Sequence, residues 1–265
     1  MSLHQAKLMG TIYLGAIASL GAGLATVVGA LPIIFTANLG QKWQGILLGL
    51  GGGVMLAATA FSLIVPGKEA AVDLGYSETQ SALVVSVGIV LGATLLWLMH
   101  NYFPHEHFNK GAEGKVTENF QRIWLFIIAI TIHNFPEGLA VGVGFGDGSI
   151  SHGLPLAVGI ALQNMPEGLI VALALRELEY SIKYALGISL LTGLVEPIGG
   201  IVGASIVNFG QAFLPWGMAI AAGSMLFVIV DEIIPEIDRE SNAQEGTLGI
   251  VAGFVTMMFL DISLG

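Results

Sequence analysis

Residues 133–139 read His-Asn-Phe-Pro-Glu-Gly-Leu, and residues 163–169 read Gln-Asn-Met-Pro-Glu-Gly-Leu. Each copy of this repeated motif lies within a long, predominantly apolar segment. Such segments predict membrane-spanning helices, which need about 20 residues to cross a bilayer. Ionisable residues inside such helices are energetically costly, and they therefore indicate a functional site. The repeated motif thus predicts a helical membrane bundle and the place within it where the chemistry lies.

The composition of the whole chain also indicates a membrane protein. Of its 265 residues, 54% are hydrophobic, nine are Lys or Arg and nineteen are Asp or Glu. A soluble chain of this length would carry about 65 charged residues. So few charges could not cover the surface of a soluble domain, which excludes a water-soluble enzyme. The net charge of −10 argues against nucleic acid as a partner, because it would repel phosphates.

The apolar runs predict an all-α membrane protein, an eight-transmembrane-helix bundle that forms one integral membrane domain over residues 1–265. The predicted spans lie near residues 8–32, 44–65, 80–102, 122–145, 153–175, 183–208, 212–233 and 247–264. The longest predicted loop, residues 103–121, contains His105 and His107. The lipid bilayer is therefore an expected partner.

Basic residues are unequally distributed between the two sides of this bundle. Both termini lie on one side, which carries only Lys7 and Lys68. The other side carries Lys42, Lys110, Lys115, Arg122, Arg176, Lys183 and Arg239. Because cytoplasmic loops are enriched in Lys and Arg, we predict extracellular or periplasmic termini and a cytoplasmic loop 103–121. The predicted location is the inner or plasma membrane of the cell.

The polar clusters are expected to share one depth in the membrane. His133 lies eleven residues after Arg122, about 16 Å along a helix, and Glu196 lies thirteen residues after Lys183, about 20 Å. The second copy of the repeated motif enters from the opposite side at a similar distance. Because the hydrocarbon layer is about 30 Å thick, all three clusters are predicted to lie near its midplane.

The spacing within the motif predicts a metal site. In each copy the first residue and the glutamate lie four positions apart, on one helix face, and the asparagine lies on the adjacent strip. Together with Glu196, the side chains are His133, Asn134, Glu137, Gln163, Asn164 and Glu167. Three carboxylates without a basic partner repel one another unless protons or cations neutralise them. The alternative is an interhelical hydrogen-bond network, as polar groups in helix bundles often form.

The tandem His-Asn-x-Pro-Glu-Gly and Gln-Asn-x-Pro-Glu-Gly pair resembles the signature of the ZIP (Zrt/Irt-like) family of divalent metal transporters, in particular its bacterial branch. The resemblance extends over the eight spans, the outside termini and the histidine-containing loop. It implies two metal sites at the midplane. In the first, the implied ligands are His133, Glu137, Gln163 and Glu167, with Met55 as a further one. In the second they are Asn134, Asn164 and Glu196, with Glu137 and Glu167 bridging the two metals.

For two of these residues, Met55 and Asn164, the sequence also supports a different interpretation. Met55 is by residue type more often a core residue than a ligand. Asn164 departs from family members that carry Asp there, and the missing charge predicts a weaker second site. Carboxylate and imidazole donors suit zinc, which is the first expected substrate, with cadmium, iron and manganese as further ones; amides are weak donors that permit release. The metal is expected as bound substrate, and no prosthetic group is expected.

Other residues are candidates for the ends of a metal path. Asp231 and Glu232, at the cytoplasmic end of the seventh span, could receive metal on its way out, or form an ordinary solvated helix end. His105 and His107 are exit candidates by family analogy. Glu69, on the outside, is a candidate for attracting cations to the entrance.

The sequence favours secondary transport of divalent cations into the cytoplasm. One alternative is an intramembrane metal-dependent hydrolase, although the His-Glu-x-x-His arrangement and a candidate nucleophile are missing. Another is a proton-conducting channel that uses the buried glutamates. A homodimer is also left open. The glycine rows 45, 49, 53 and 138, 142, 146 predict close helix packing, either within a protomer or between protomers. Gly138 and Gly168, which follow the two motif glutamates, are expected to let the fourth and fifth spans approach each other closely.

Overall fold

The structure, a computed structural model, describes residues 3–35, 40–102, 116–146, 148–239 and 243–264, which are almost entirely helical. The helices are α1 (Leu3–Ala30), α2 (Gln41–Ala57), α3 (Val65–Asp73), α4 (Glu78–Tyr102), α5 (Val116–Gly144), α6 (Ile150–Glu177), α7 (Ile182–Gly193), α8 (Glu196–Phe209), α9 (Leu214–Val228), α10 (Ile234–Arg239) and α11 (Ala243–Leu264). A π-helical turn joins α2 to α3 (Ala58–Ile64) and another joins α9 to α10 (Ile229–Ile233), so each pair is one continuous helix. Short 3-10 turns follow α1 (Leu31–Ile34) and precede α9 (Gln211–Phe213).

Seven segments within the described residues are long and apolar enough to cross a membrane. They are Met9–Ile34, Lys42–Asp73, Glu78–Leu98, Gly153–Arg176, Ile182–Val207, Leu214–Asp231 and Gln244–Ser263. Each coincides with a predicted span, and the remaining predicted span, 122–145, falls on the 29-residue helix α5. The structure therefore agrees with an all-α membrane protein.

Several helices are longer than the predicted spans. The continuous helix formed by α2 and α3 runs to Asp73, whereas the predicted second span ends near residue 65. The continuous helix formed by α9 and α10 runs to Arg239, beyond the end predicted for the seventh span. Helix α5 begins at Val116, so the predicted loop 103–121 is shorter than expected. Hydropathy locates only the apolar part of a helix, whereas backbone hydrogen bonding continues into polar sequence at its ends.

The predicted span 183–208 is interrupted in its middle. Helix α7 ends at Gly193, and α8 begins at Glu196. Pro197 has no N–H with which to bond the carbonyl of Gly193, and it lies in the first turn of α8, where a helix accepts proline readily. The interruption places Glu196 in the first turn of a helix at the centre of the bundle, where a negative charge interacts favourably with the helix dipole.

The helices pack with an internal repeat. The most extensive contacts join α2 to α11, α1 to α6, α5 to α8, and α4 to α9. These four contacts form two equivalent pairs. The contact of α2 with α11 corresponds to that of α9 with α4, and the contact of α1 with α6 corresponds to that of α8 with α5. In this repeat, α1 is equivalent to α7–α8, α2 to α9, α4 to α11, and α5 to α6. Both α2 and α9 continue through a π-helical turn into a segment whose second residue is proline, Pro66 or Pro235. The two copies of the repeated motif, on α5 and α6, therefore occupy equivalent places in the bundle.

Glycine rows hold these pairs together within the protomer. A Cβ added to Gly49 would lie 2.1 Å from the carbonyl oxygen of Gly246, and one added to Gly53 would lie 2.0 Å from that of Ile250. Gly142 has the same relation to Gly200 on α8, at 2.1 Å. Such distances leave no room for a side chain. The close packing predicted from both glycine rows is confirmed, and it occurs between helices of one chain.

Candidate metal site

The polar side chains of the repeated motif meet in the middle of the bundle. His133, Asn134 and Glu137 come from α5, Gln163, Asn164 and Glu167 come from α6, and Glu196 comes from the start of α8. None of the seven is more than 5% exposed, and no Lys or Arg is among the buried residues that the structure describes. All seven side chains are buried, and we call them the midplane cluster after their predicted depth; their role as metal ligands stays a prediction.

Helices α5 and α6 continue without a break through the prolines of the motif, Pro136 and Pro166. The first contact across the cluster joins these two helices: the Gln163 side-chain amide donates a hydrogen bond to Oε1 of Glu137. Both residues belong to the first of the two predicted ligand sets.

Asn164 makes the second set of contacts. Its Nδ2 atom donates to Oε1 of Glu196 at 2.6 Å and to the backbone carbonyl of Ala22, on α1, at 2.9 Å. One amide therefore ties α6 to both α8 and α1. Asn164 and Glu196 both belong to the second predicted ligand set.

Several oxygen atoms in the cluster accept no hydrogen bond. They are Oδ1 of Asn134, Oε2 of Glu137, Oε1 of Gln163, Oδ1 of Asn164 and Oε2 of Glu196, all fully buried. A buried polar atom without a partner is unfavourable by about 1–3 kcal/mol. These five acceptors are the atoms with which carboxylates and amides bind cations, whereas the unpartnered Nδ2 of Asn134 is a donor that a cation cannot satisfy.

The carboxylates are also close enough to repel one another. Glu137 experiences the charges of both Glu167 and Glu196, and Glu196 experiences that of Glu167. Within the described residues, however, no three His, Asp or Glu side chains are arranged as a ready-made metal site. Two of the carboxylates instead accept hydrogen bonds from the side-chain amides of Gln163 and Asn164, which are themselves predicted ligands.

Comparison with known proteins identifies the family. The sequence model described as "ZIP Zinc transporter" matches residues 100–261, which include every residue of the midplane cluster. The zinc transporter GufA of Myxococcus xanthus is 45% identical over 95% of this chain and 99% of its own length. The chain belongs to the ZIP family.

Other relatives show the same relationship over most of the chain. The zinc transporter ZIPB of Bordetella bronchiseptica is 41% identical over 91% of this chain and 78% of its own length. The human zinc transporter ZIP11 is 31% identical over the whole of this chain and 98% of its own length. The resemblance to ZIP proteins that the tandem motif indicated is therefore confirmed, and bacterial relatives are among the most similar.

Two glycines of the ZIP motif have a different role from the one predicted. Gly138 and Gly168 were expected to let α5 and α6 approach each other. A Cβ on Gly138 would instead lie 2.0 Å from the carbonyl oxygen of Glu196 on α8, and one on Gly168 would lie 1.9 Å from that of Thr26 on α1. The predicted partner helices of these two glycines were therefore wrong, because spacing alone does not reveal which neighbouring helix a helix face contacts.

Met55 lies on α2, one turn after a residue that packs against α6. It is 1% exposed and belongs to the hydrophobic core. One turn earlier, a Cβ added to Gly51 would lie 3.8 Å from Cβ of Gln163, so this face of α2 packs against α6 at the level of the motif. The position of Met55 is compatible with core packing and with a ligand role.

The residues predicted for the ends of the path are more dispersed. Asp231 and Glu232 lie in the π-helical turn Ile229–Ile233, which is a local feature that often accompanies function. Glu69 is exposed on α3. His105 and His107 fall outside the described residues.

Two contacts have no counterpart in the sequence analysis. The Ser62 hydroxyl donates to Oδ1 of Asp261 at 2.5 Å, joining the π-helical turn of the second span to α11. The other is the Ala22 carbonyl, which accepts from Asn164. Asp261 lies near the end of the predicted span 247–264, but nothing in the sequence indicates its partner, and a backbone carbonyl leaves no sequence signal.

Proposed function

We propose that this ZIP protein carries zinc, or a similar divalent transition-metal cation, across the membrane through the midplane cluster. The observation that supports the proposal most strongly is the set of five buried acceptor oxygens that receive no hydrogen bond, in a cluster that contains no Lys or Arg. A divalent cation would satisfy these oxygens and offset the mutual repulsion of the carboxylates. The relatives named zinc transporters support zinc as the first substrate.

We further propose two adjacent metal positions in this cluster. The first uses His133, Glu137, Gln163 and Glu167, with Met55 as an additional ligand. The second uses Asn134, Asn164 and Glu196, and it shares Glu137 and Glu167 with the first. Support comes from the hydrogen bonds, because Glu137 pairs with Gln163 whereas Glu196 pairs with Asn164.

Metal binding would rearrange the two amides. Gln163 and Asn164 now present their NH2 groups to carboxylates, and an NH2 group cannot ligate a cation. Rotation of each amide about its last side-chain bond would bring the oxygen to the metal instead. In this account the amides hold the carboxylates apart before binding and become weak ligands afterwards, which favours release as well as capture.

Passage into the cytoplasm follows from the predicted orientation. An eight-span bundle with outside termini places the ends with Lys42, Arg176 and Lys183 in the cytoplasm, as the excess of basic residues favours. Glu69 would then face the entrance, and Asp231, Glu232, His105 and His107 would lie toward the exit. The plasma or inner membrane is the proposed location.

Zinc uptake into proteoliposomes tests this function. We expect radioactive zinc to accumulate with the wild-type chain and to fall to the level of empty liposomes in a Glu137→Ala, Glu167→Ala double variant. The matched control removes two carboxylates from exposed ion pairs instead, in Glu78→Gln, Glu245→Gln. Unchanged uptake in the first variant would contradict the proposal.

The same preparation separates transport from the two alternatives. Family membership favours transport over hydrolysis. Peptide or lipid cleavage without zinc flux would instead indicate a hydrolase. A proton current in strictly metal-free liposomes, abolished in the same double variant, would indicate a proton channel.

A further inference from the structure

The hydroxyl of Thr26, on α1, lacks the hydrogen bond that several other helical threonines make. Thr59, Thr94, Thr131 and Thr256 each donate from the side chain to the backbone carbonyl four residues earlier, at 2.7 or 2.8 Å. Thr26 is 1% exposed, and its hydroxyl has no hydrogen-bond partner among the residues that the structure describes. A buried hydroxyl without a partner is unfavourable, so its presence calls for an explanation.

The carbonyl that Thr26 would use is already occupied. The residue four positions earlier is Ala22, and its carbonyl oxygen accepts a hydrogen bond from Nδ2 of Asn164 at 2.9 Å. Because α1 is one continuous helix from Leu3 to Ala30, the same oxygen also accepts the backbone N–H of Thr26. A carbonyl oxygen has two lone pairs, and these two donors use both. The amide of Asn164 therefore occupies the acceptor of the Thr26 hydroxyl.

The two glycines that enclose Thr26 offer its hydroxyl no side-chain partner. A Cβ added to Gly193, at the end of α7, would lie 2.8 Å from Oγ1 of Thr26. A Cβ added to Gly168, on α6, would lie 2.9 Å from its Cγ2. The hydroxyl thus faces one glycine and the methyl group faces the other. The side chain of Thr26 is held between α6 and α7, at positions where neither helix carries a polar side chain.

The same face of α1 borders the second proposed metal position. Asn164 bonds Glu196 and Ala22 through one atom, Nδ2, at 2.6 and 2.9 Å. A Cβ added to Gly23, the residue after Ala22, would lie 3.4 Å from Oε1 of Glu196. A rotation of the Asn164 amide would therefore change the hydrogen bonds of α1 beside Thr26.

We propose that Thr26 is a positioning residue for metal binding, which donates to the Ala22 carbonyl once Asn164 has turned its oxygen to the metal. The inference rests on the function proposed above, of which this rotation is a part. Rotation withdraws Nδ2 and leaves one lone pair of the Ala22 carbonyl without a donor. The Thr26 hydroxyl then reaches it by rotation about χ1, in a bond that threonine readily makes in helices. The metal-bound state gains a hydrogen bond that the metal-free state lacks, and this gain favours binding.

Thr26→Val tests the proposal because it removes the hydroxyl and keeps the branched shape of the side chain. Without metal, we expect the variant to melt about 2–4 °C higher than the wild type, because an unpaired buried hydroxyl is gone. With metal, the variant lacks the hydrogen bond to Ala22, so we expect zinc affinity to fall about tenfold, or about 1.4 kcal/mol. Thermal unfolding and isothermal titration with zinc, both on the full-length protein in detergent, measure the two effects. A threonine that only fills space would not give a higher melting temperature together with weaker zinc binding.

Further variants isolate the hydroxyl and the amide that competes with it. Thr26→Ser keeps the hydroxyl, so it should bind zinc as tightly as the wild type. Asn164→Ala removes the competing amide and leaves the Ala22 carbonyl to Thr26 even without zinc. In that background, Thr26→Val should no longer raise the melting temperature. Thr131→Val is the matched control, because it removes a hydroxyl that is already bonded, and it should leave zinc affinity unchanged.

The possible results separate this inference from the proposed function. If the wild-type chain bound no zinc, the proposed function and this inference would fail together. Zinc binding by the wild type with unchanged affinity in Thr26→Val would overturn this inference alone. The same holds for a lower melting temperature of Thr26→Val without metal, and for an equal loss of affinity in Thr26→Ser or Thr131→Val. A rise in melting temperature that persists in the Asn164→Ala background would also overturn it.

Discussion

The carboxylates at the midplane and those at the helix ends are the same chemical groups in opposite environments. At the ends, Glu245 pairs with Lys42 at 3.1 Å, and Glu78 pairs with Lys68 at 2.6 Å, with at least one partner of each pair well exposed. At the midplane, Glu137 and Glu196 are at most 1% exposed and have only amide partners and other acids around them. Water screens the first kind of charge, whereas the second kind needs a cation or a proton. The position of a carboxylate in this bundle therefore decides whether water can stabilise its charge or whether a cation or a proton must do so.

Removing one carboxylate from each region should give the largest contrast. We expect Glu137→Gln to lower zinc uptake about 100-fold or more, because it removes a charge shared by both proposed metal positions. Glu245→Gln should change uptake less than about twofold, since an exposed ion pair contributes little. Initial rates of zinc uptake in proteoliposomes measure both. Equal effects of the two substitutions would remove the distinction between the regions.

The helix packing that builds the midplane cluster predicts the next effect. Gly138→Ala places a Cβ 2.0 Å from the carbonyl oxygen of Glu196, so α5 and α8 must move apart. We expect a loss of about 1–3 kcal/mol or more in stability, together with loss of zinc uptake. Gly10→Ala is the matched control, because a Cβ there meets nothing within 4 Å. Thermal unfolding in detergent compares them, and equal melting temperatures would contradict the packing account.

A smaller effect is expected when a charge is added to the cluster. Asn164→Asp removes the donor to Glu196 and brings a fourth carboxylate to the second proposed metal position. We expect the protein without metal to melt at a lower temperature, and zinc affinity to increase about tenfold, or about 1.4 kcal/mol. Isothermal titration with zinc checks the affinity. Weaker zinc binding by Asn164→Asp would show that this amide acts as a hydrogen-bond donor and not as a ligand.

The smallest effect is expected at the helix ends. Lys42→Gln breaks the ion pair with Glu245, and we expect it to change the free energy of unfolding by less than about 1 kcal/mol. The change should shrink further at high salt, because salt screens exposed charges. Thermal unfolding at low and high salt provides the measurement. A large effect that salt does not alter would show that this pair is more than a surface contact.

The sequence predicted the parts of the molecule that depend on local pattern. Apolar runs predicted helices that the structure contains. Four-residue spacing predicted shared faces for His133 with Glu137 and for Gln163 with Glu167, and all four side chains are buried. The common depth of these residues and Glu196 in a membrane stays a prediction. Each of these inferences uses one helix and the thickness of a membrane, which are both fixed by elementary geometry.

The parts that depend on which helices are neighbours could not be predicted. Gly138 faces α8 and Gly168 faces α1, although spacing suggested that they face each other's helices. The carbonyl of Ala22 entered the cluster without any signal in the sequence. The π-helical turn that presents Ser62 to Asp261 was also unexpected, because no composition rule marks it. Neighbours in a bundle are set by the sum of many small contacts, and a single pattern does not reveal them.

The most direct test of the midplane cluster is the position of bound metal. Crystals soaked with zinc, and separately with cadmium, would locate the ions by their anomalous scattering. The account predicts a peak among His133, Glu137, Gln163 and Glu167, and a second, weaker peak beside Asn164 and Glu196, with both amides rotated to present their oxygens. Anomalous peaks confined to the helix ends, with the hydrogen bonds of Gln163 and Asn164 unchanged, would contradict it.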